Sequence, residues 1–292
     1  MRKTSVYLPE GLKQRLTALA RRSGRSEAHL VRTAVERLVA EAADVGRPAV
    51  PTPPAGPALV GVGVGPGDPG LVTVRAVEAL RRADRVLAPT TSPAAVGRAE
   101  AVVREAAPGV VVDRVGFVME VATAARRAAL DAAVERVVAH LDAGERVAFV
   151  TLGDPAVYST FGSLADGVRA LRPAVPVEVV PGIMAFQDLA ARTGTTLVDG
   201  TEHLVLVPAH RSPAGDPLAG AAADPSAAVV VYKGGAHIAA VAELLAGHGR
   251  LEGAVVGELL GLPGGRVAPV TDAAERPASY LATVIVPPVR AT

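Results

Sequence analysis

Two turns in this chain share one composition. Gly65–Gly70 reads GPGDPG and follows the apolar run Ala58–Val64; Thr151–Pro155 reads TLGDP and closes the run Val147–Leu152. Each time a strand-like stretch meets glycine, then aspartate, then proline. The chemistry open to such a turn is small-molecule binding by the main chain. Glycine lets the backbone turn tightly or come close to a ligand. Asp68 and Asp154 can cap a helix or offer a carboxylate oxygen. Pro69 and Pro155 suit a first helical position. A third run, Val177–Val180, stops at Pro181-Gly182-Ile183. Ligands of open α/β sheets sit at the carboxyl ends of strands, so the two Gly-Asp-Pro turns predict two strand ends converging on one cleft.

Two simpler readings stand beside this one. Each aspartate contributes about 1 kcal/mol if it only caps its helix. Gly65–Gly70 also satisfies G-x-G-x-x-G, the dinucleotide fingerprint. That fingerprint wants an acid at the end of the next strand, whereas Asp84 stands at the front of DRVLAP. Pro66 and Pro69 also remove N–H donors from a phosphate cradle. Tyr158, after the second turn, has the ordinary reading of a packed aromatic. The six histidines show no i, i+4 pair, so no metal site is expected.

Around these turns, apolar runs alternate with alanine-rich helical stretches, an α/β signature. Strands are expected at 58–64, 85–88, 110–112, 147–152, 177–180, 203–207, 228–232, 253–258 and 281–286. Helices are expected at 71–83, 121–143, 158–172, 183–192 and 238–247. Pro173–Pro176 divides an N-terminal lobe, 58–173, from a C-terminal lobe, 174–292. The chain has 292 residues, 50% of them hydrophobic but only 3% aromatic, so the core must be alanine, valine and leucine. The absence of cysteine excludes disulfides and thiolate chemistry. No run of 18 apolar residues occurs, nor an apolar signal-peptide core at the N-terminus, so a cytoplasmic protein without a membrane span is expected.

The first 45 residues differ. They hold an excess of four positive charges in a chain whose net charge is +1. Thr4, Val6 and Leu8 alternate with Lys3, Ser5 and Tyr7 as in a strand. Pro9 opens a helix carrying Leu12, Leu16 and Leu19. Gly24 stops it, and Ser26 caps a second helix. Gly46–Pro57, with five prolines in twelve residues, reads as a polyproline-type linker. A strand and two short helices cannot close a core alone, so dimerisation is expected.

Four stretches in order carry a resemblance: VGVGPGDPGLVTVRAVEALRRADRVL (Val62–Leu87), TLGDPAVYST (Thr151–Thr160), VEVVPGIMAFQDLAART (Val177–Thr193), and LVDGTEHLVLVPA (Leu197–Ala209) with SYLATVIV (Ser279–Val286). Together they resemble the S-adenosylmethionine-dependent tetrapyrrole (corrin/porphyrin) methylases, most of all the precorrin-2 C(20)-methyltransferase branch. The resemblance covers about residues 57–290 and implies a two-lobed α/β methylase fold. It implies that Pro66, Leu152, Gly153, Asp154, Met184, Ala185, Tyr232 and Lys233 bind S-adenosylmethionine. At Lys233 the family commonly has an apolar residue such as methionine. The implied reaction moves a methyl group from sulfonium sulfur to a meso carbon of precorrin-2, or of its cobalt form. Asp68 is then the catalytic candidate, orienting a pyrrole N–H or assisting proton loss.

Residues 1–45 resemble the CopG/Arc-type ribbon-helix-helix family, a β-α-α module. That implies a homodimer contacting DNA through Lys3, Ser5 and Tyr7 on bases, with Arg25 and Ser26 at phosphate. The alternatives are a regulator whose methylase lobe senses S-adenosylmethionine or a tetrapyrrole, a methylase of another position, and a nucleotide-dependent oxidoreductase.

Overall fold

The computed structural model describes residues 8–43, 56–92, 94–117, 124–209, 217–233, 235–273, 278–279 and 281–290. All but Leu8 of the expected strand over residues 3–8, the DNA-contact candidates Lys3, Ser5 and Tyr7, and most of the proline-rich linker lie outside these. The chain forms two compact units, divided between Ala55 and Gly56.

The first unit holds α1 (Glu10–Ser23) and α2 (Glu27–Ala43). Gly24, at φ 65°, ends α1 in the left-handed region that glycine adopts without strain, and its N–H returns to the Ala20 carbonyl. The Ser26 hydroxyl accepts the His29 N–H at 3.2 Å and starts α2. Lys13 and Thr17 of α1 both reach the Glu27 carboxylate and lower its pKa. Between residues 8 and 35 no described side chain is buried, and Leu12, Leu19 and Val35 are exposed.

The second unit is built on two five-stranded sheets. The first contains β1 (Ala58–Gly63), α3 (Val74–Arg82), β2 (Arg85–Thr90), α4 (Arg98–Ala106), β3 (Val112–Gly116), α5 (Ala124–Asp142), β4 (Arg146–Thr151), α6 (Phe161–Leu171) and β5 (Val177–Val180). Its order is β3-β2-β4-β1-β5, and every pairing is parallel. A parallel sheet is covered on both faces, so its strands read as continuous apolar runs; all six residues of β1 are buried. Alternation sorts the side chains. Leu59, Leu87, Val147 and Phe149 face the α5 and α6 side. Val60, Val62, Val86, Ala148 and Val150 face α3 and α4. Gly61 is required where the Phe161 ring lies on the strand, since a methyl group there would stand 2.6 Å from the ring.

The sheet takes in Val177–Val180, which the sequence-based division at Pro173 assigns to the second lobe. The passage to the second sheet therefore comes after β5. The connection is α7 (Ala185–Thr193), followed by β6 (His203–Pro208), α8 (Pro217–Ala222), β7 (Ala227–Tyr232), α9 (Ile238–Gly247), β8 (Val255–Glu258), β9 (Arg266–Pro269), α10 (Val270–Ala273) and β10 (Thr283–Val286). The order is β6-β7-β10-β8-β9, parallel only between β6 and β7. One face packs on α8, α9 and α10 through Val229, Val231, Leu245 and Val284. The other packs on α7 through Phe186, Leu189, Val230 and Ile285. Among the described residues no helix is long and apolar enough to cross a membrane.

Two arginines tie the sheets to the segments that flank them. Glu100 of α4 is 1% exposed and accepts from Arg114 of β3 at 2.7 and 3.1 Å and from Arg104 at 2.6 Å. Arg250, 3% exposed, spreads its guanidinium over the carbonyls of Asp224 (2.6 Å), Ala227 (2.6 Å) and Pro287 (2.9 Å). The Arg114 hydrogen bonds are the main reason that the Glu100 carboxyl lies below its ordinary 4.5, against burial that pushes it up. Its stabilisation is therefore full above pH 4.5 and fades as pH falls through the lowered value. At neutral pH, Glu100→Gln is expected to cost about 2 kcal/mol. In urea midpoints the gap between parent and variant should close on acidification; a gap that does not vary with pH excludes an ionised Glu100.

Candidate functional site

The carboxyl ends of β1, β4 and β5 meet without side chains between them. The Gly153 N–H donates to the Gly65 carbonyl at 2.8 Å, and the Val64 N–H to the Thr151 carbonyl at 2.9 Å. A methyl group on Gly182 would stand 2.1 Å from the Gly153 carbonyl oxygen; one on Gly63 would stand 2.5 Å from that same oxygen and 2.6 Å from the Gly182 nitrogen. The three glycines thus touch backbone to backbone.

Asp154 binds the loops together. Its Oδ1 accepts the Ala156 N–H at 2.8 Å, and its Oδ2 accepts the Gly182 N–H at 3.0 Å. Both oxygens are engaged, so its part here is to hold the β5–α7 loop against the β4 loop. Neither aspartate caps an α-helix. Asp68 Oδ1 accepts the Gly70 N–H at 2.8 Å, but only a 3-10 turn, Pro69–Leu71, follows. The helix starts later, where Thr73 Oγ1 accepts the Ala76 N–H. After Asp154 the chain turns through Tyr158, and α6 begins at Phe161. The cap expectation holds for Asp68 only at this 3-10 turn, with Pro69 in its first position, and not for Asp154, because an aspartate serves a single turn as well as a helix. The dinucleotide reading fails, since no α-helix N-terminus follows the Gly65–Gly70 loop directly.

The second lobe closes on the same loops. The turn after β8 packs on the β1 loop: a methyl group on Gly67 would stand 2.2 Å from the Leu260 carbonyl oxygen, and one on Gly261 would stand 2.2 Å from the Asp68 nitrogen. Arg192 of α7 binds Asp188 at 2.8 Å and faces Asp68 at 3.9 Å. Met184 precedes α7, with its N–H on the Gln187 side-chain oxygen at 2.8 Å. Met184, Ala185 and Tyr232 pack on one apolar cluster with Phe186, Leu189 and Leu260.

Among the described residues, three other than glycine have positive φ: Tyr158 (49°), Lys233 (60°) and Leu259 (49°). Such conformations cost about 1 kcal/mol or more each and collect at functional sites. All three follow strand ends: Tyr158 beyond β4, Lys233 at β7, Leu259 at β8. Tyr158, 45% exposed, lays its ring 5.5 Å from that of Tyr232, and the Lys233 ammonium sits 5.4 Å above the Tyr158 ring centroid. Burial pushes the Tyr232 phenol well above the ordinary 10.0; the nearby Phe186 amide opposes it. Buried polar atoms without a hydrogen-bond partner among the described residues are Thr151 Oγ1, Asp188 Oδ2 and the Tyr232 hydroxyl.

Of the residues proposed from sequence, Pro66, Gly153, Asp154, Met184 and Ala185 lie on the loops that meet here, and Tyr232 joins them through the α7 cluster. Leu152 turns its side chain into the first sheet's core and has only backbone to offer. Lys233 reaches the group through Tyr158. Arg25 and Ser26 belong to the other unit. Sequence reasoning passed over Leu259 and took Tyr158 for a packed aromatic. The visible signal for Tyr158 was its rarity, one of four tyrosines in the chain.

A family profile described as Tetrapyrrole (Corrin/Porphyrin) Methylases matches residues 58–274. A Precorrin-2 C(20)-methyltransferase of Sinorhizobium sp is 35% identical over 238 residues, 78% of this chain and 94% of that protein. A Cobalt-precorrin-2 C(20)-methyltransferase of Salmonella typhimurium is 29% identical over 233 residues, 78% of this chain and 95% of that one. Among solved structures, uroporphyrin-III C-methyl transferase from Thermus thermophilus, complexed with S-adenosylhomocysteine, superposes with a TM-score of 0.57 at 26% identity, covering 79% of this chain and 97% of its own. The profile spans β1 to β9 with the loops and clustered glycines between them, and the chain belongs to the tetrapyrrole (corrin/porphyrin) methylases, a family of S-adenosylmethionine-dependent C-methyltransferases.

Proposed function

We propose that the chain methylates precorrin-2 at C(20), with S-adenosylmethionine as donor. The observation that carries this reading is the junction of Gly63, Gly153 and Gly182, a main-chain floor beside the apolar surface of Met184, Ala185 and Tyr232. That surface suits the adenosine and thioether portions of the donor, and backbone groups suit its polar edges. The Sinorhizobium relative, matched over nearly all its length, supports the position and the metal-free substrate.

The donor supplies an electrophilic methyl group whose sulfur leaves as a neutral thioether. The acceptor carbon belongs to an electron-rich conjugated system and is itself the nucleophile. What the protein must provide is alignment and exclusion of water. Gly63, Gly153 and Gly182 fix the floor. Asp154 holds two of its loops in register. To Asp68, half exposed and facing Arg192, this reading assigns the acceptor of a pyrrole N–H and of the proton released after transfer.

The test is the mass of a tetrapyrrole incubated with the full chain and S-adenosylmethionine. One added methyl group on precorrin-2, at C(20) by carbon-13 resonance, is the expected result. Methylation of the cobalt form alone would transfer the assignment to the chemistry in the Salmonella relative's name. Methylation of neither removes it.

The domain reading that goes with this is a ribbon-helix-helix module over 1–45, a linker over 46–57, and two methylase lobes that divide after β5. For the module we propose pairing of two chains and binding of DNA phosphate at the Arg25-Ser26 turn. Two helices with no buried side chain among the described ones need a partner to cover Leu12 and Leu19, and the local positive charge suits DNA. Sedimentation should give a dimer, and Arg25→Glu should abolish a DNA mobility shift. A monomer, or a shift indifferent to Arg25, defeats this part alone.

A further inference from the structure

We propose that Lys233 is the receptor for a carboxylate of the bound ligand, and that Tyr158 is the positioning residue that holds its ammonium in place. This rests on the methyl-transfer reading above. It deepens that reading by naming the ligand group that this side chain takes.

The argument begins with what fixes the lysine. An unconstrained lysine side chain spends its rotamer freedom in water. Here the backbone at Lys233 is held at φ 60°, its side chain is half-buried, and its ammonium lies over a ring that is itself carried by a strained residue at φ 49°. Two costly conformations on different lobes meet at one cation. The Tyr158 ring is set in turn against Tyr232, the residue preceding Lys233.

The second point is what the cation does not have. No carboxylate among the described residues pairs with Lys233, whereas Arg192, the other cation beside these loops, is engaged by Asp188 and faces Asp68. An ion pair would cancel the lysine charge. A ring face holds an ammonium by its quadrupole and leaves the charge and its N–H donors available. An ordered, unneutralised cation at a strand end of the cleft is complementary to an anion. Two sources offer one: the aminoacyl carboxylate of the methyl donor and the acid side chains of the tetrapyrrole.

The full chain, its Lys233→Met and Lys233→Arg variants, and Tyr158→Leu are titrated calorimetrically with S-adenosylhomocysteine and with 5′-methylthioadenosine, which lacks the aminoacyl carboxylate. KM and kcat for precorrin-2 are measured alongside. If the donor's carboxylate is the ligand, K233M weakens S-adenosylhomocysteine about ten- to a hundredfold and leaves methylthioadenosine unchanged. If the substrate's is, both isotherms stand and KM rises by a similar factor with kcat nearly unchanged. In either case K233R restores most of the loss, and Y158L shows a smaller change of the same kind with the lysine intact. Should K233M fail to fold, Y158L carries the same comparison. Isotherms and KM that move for none of the variants overturn the proposal. Parent protein that binds no S-adenosylhomocysteine instead overturns the methyl-transfer reading beneath it.

Discussion

Gly182→Ala is expected to lower affinity for S-adenosylhomocysteine more than a hundredfold and to destabilise the fold by about 3 kcal/mol. The added methyl group would stand 2.1 Å from the Gly153 carbonyl oxygen and 2.9 Å from the Gly63 carbonyl carbon. Both obstacles are main chain, each continuous with a strand of the parallel sheet, so neither can swing aside as a side chain would. Relief must come from moving the β5–α7 loop away from the β4 loop. That movement breaks the bond from the Gly182 N–H to Asp154 and displaces Met184, two residues on. Calorimetric titration at a temperature where the variant is folded separates the two effects. A folded G182A protein with parental affinity would show that the junction is packing and not a binding floor.

Arg250→Met is expected to cost about 3–5 kcal/mol and to lower the melting temperature by about 10 °C, with binding intact in the folded fraction. The guanidinium joins the end of α8, the start of β7 and the segment after β10 by donating to carbonyls alone. Methionine fills similar volume yet leaves those carbonyls without donors in a site that excludes water, and an unmet buried acceptor costs about 1–3 kcal/mol. Lysine at the same position should recover part of the loss, because an ammonium supplies charge but not the planar fork. Calorimetric melting curves of R250M and R250K give the order directly. Equal melting temperatures in parent and R250M would mean that water already satisfies these groups.

The loops of the site were legible because glycine, proline and aspartate act locally. Gly65–Gly70, Thr151–Pro155 and Pro181–Ile183 each announce a strand end in a few residues. What they leave open is which kind of turn follows, and both aspartates proved to close single turns. The second lobe's share was hidden for another reason. The fit of Leu260 and Gly261 against Gly67 and Asp68 joins segments nearly two hundred residues apart, and no local pattern reports it. A strand was expected at 110–112, where Val111 is in fact solvent-exposed; the real one begins at Val112 and runs through Asp113 and Arg114. That strand and α4 share an ion pair between buried Glu100 and partly buried Arg114, so each carries charge where a hydrophobic pattern needs an apolar residue. Polar burial concealed both elements at once. Lys233 was marked by resemblance alone, and its setting over Tyr158 needed coordinates to be seen.

The meeting of three glycines has a consequence for how such a protein can diversify. Where contact with a common reagent is made by peptide groups, few mutations can retune that contact without unfolding it, and the reagent stays the same across descendants. On the reading proposed above, novelty in the acceptor arises on the walls, in the turn after β8 and at positions such as Tyr158 and Lys233, where replacement leaves the floor standing. Laboratory attempts to redirect the methyl group should randomise those walls and leave the glycines alone.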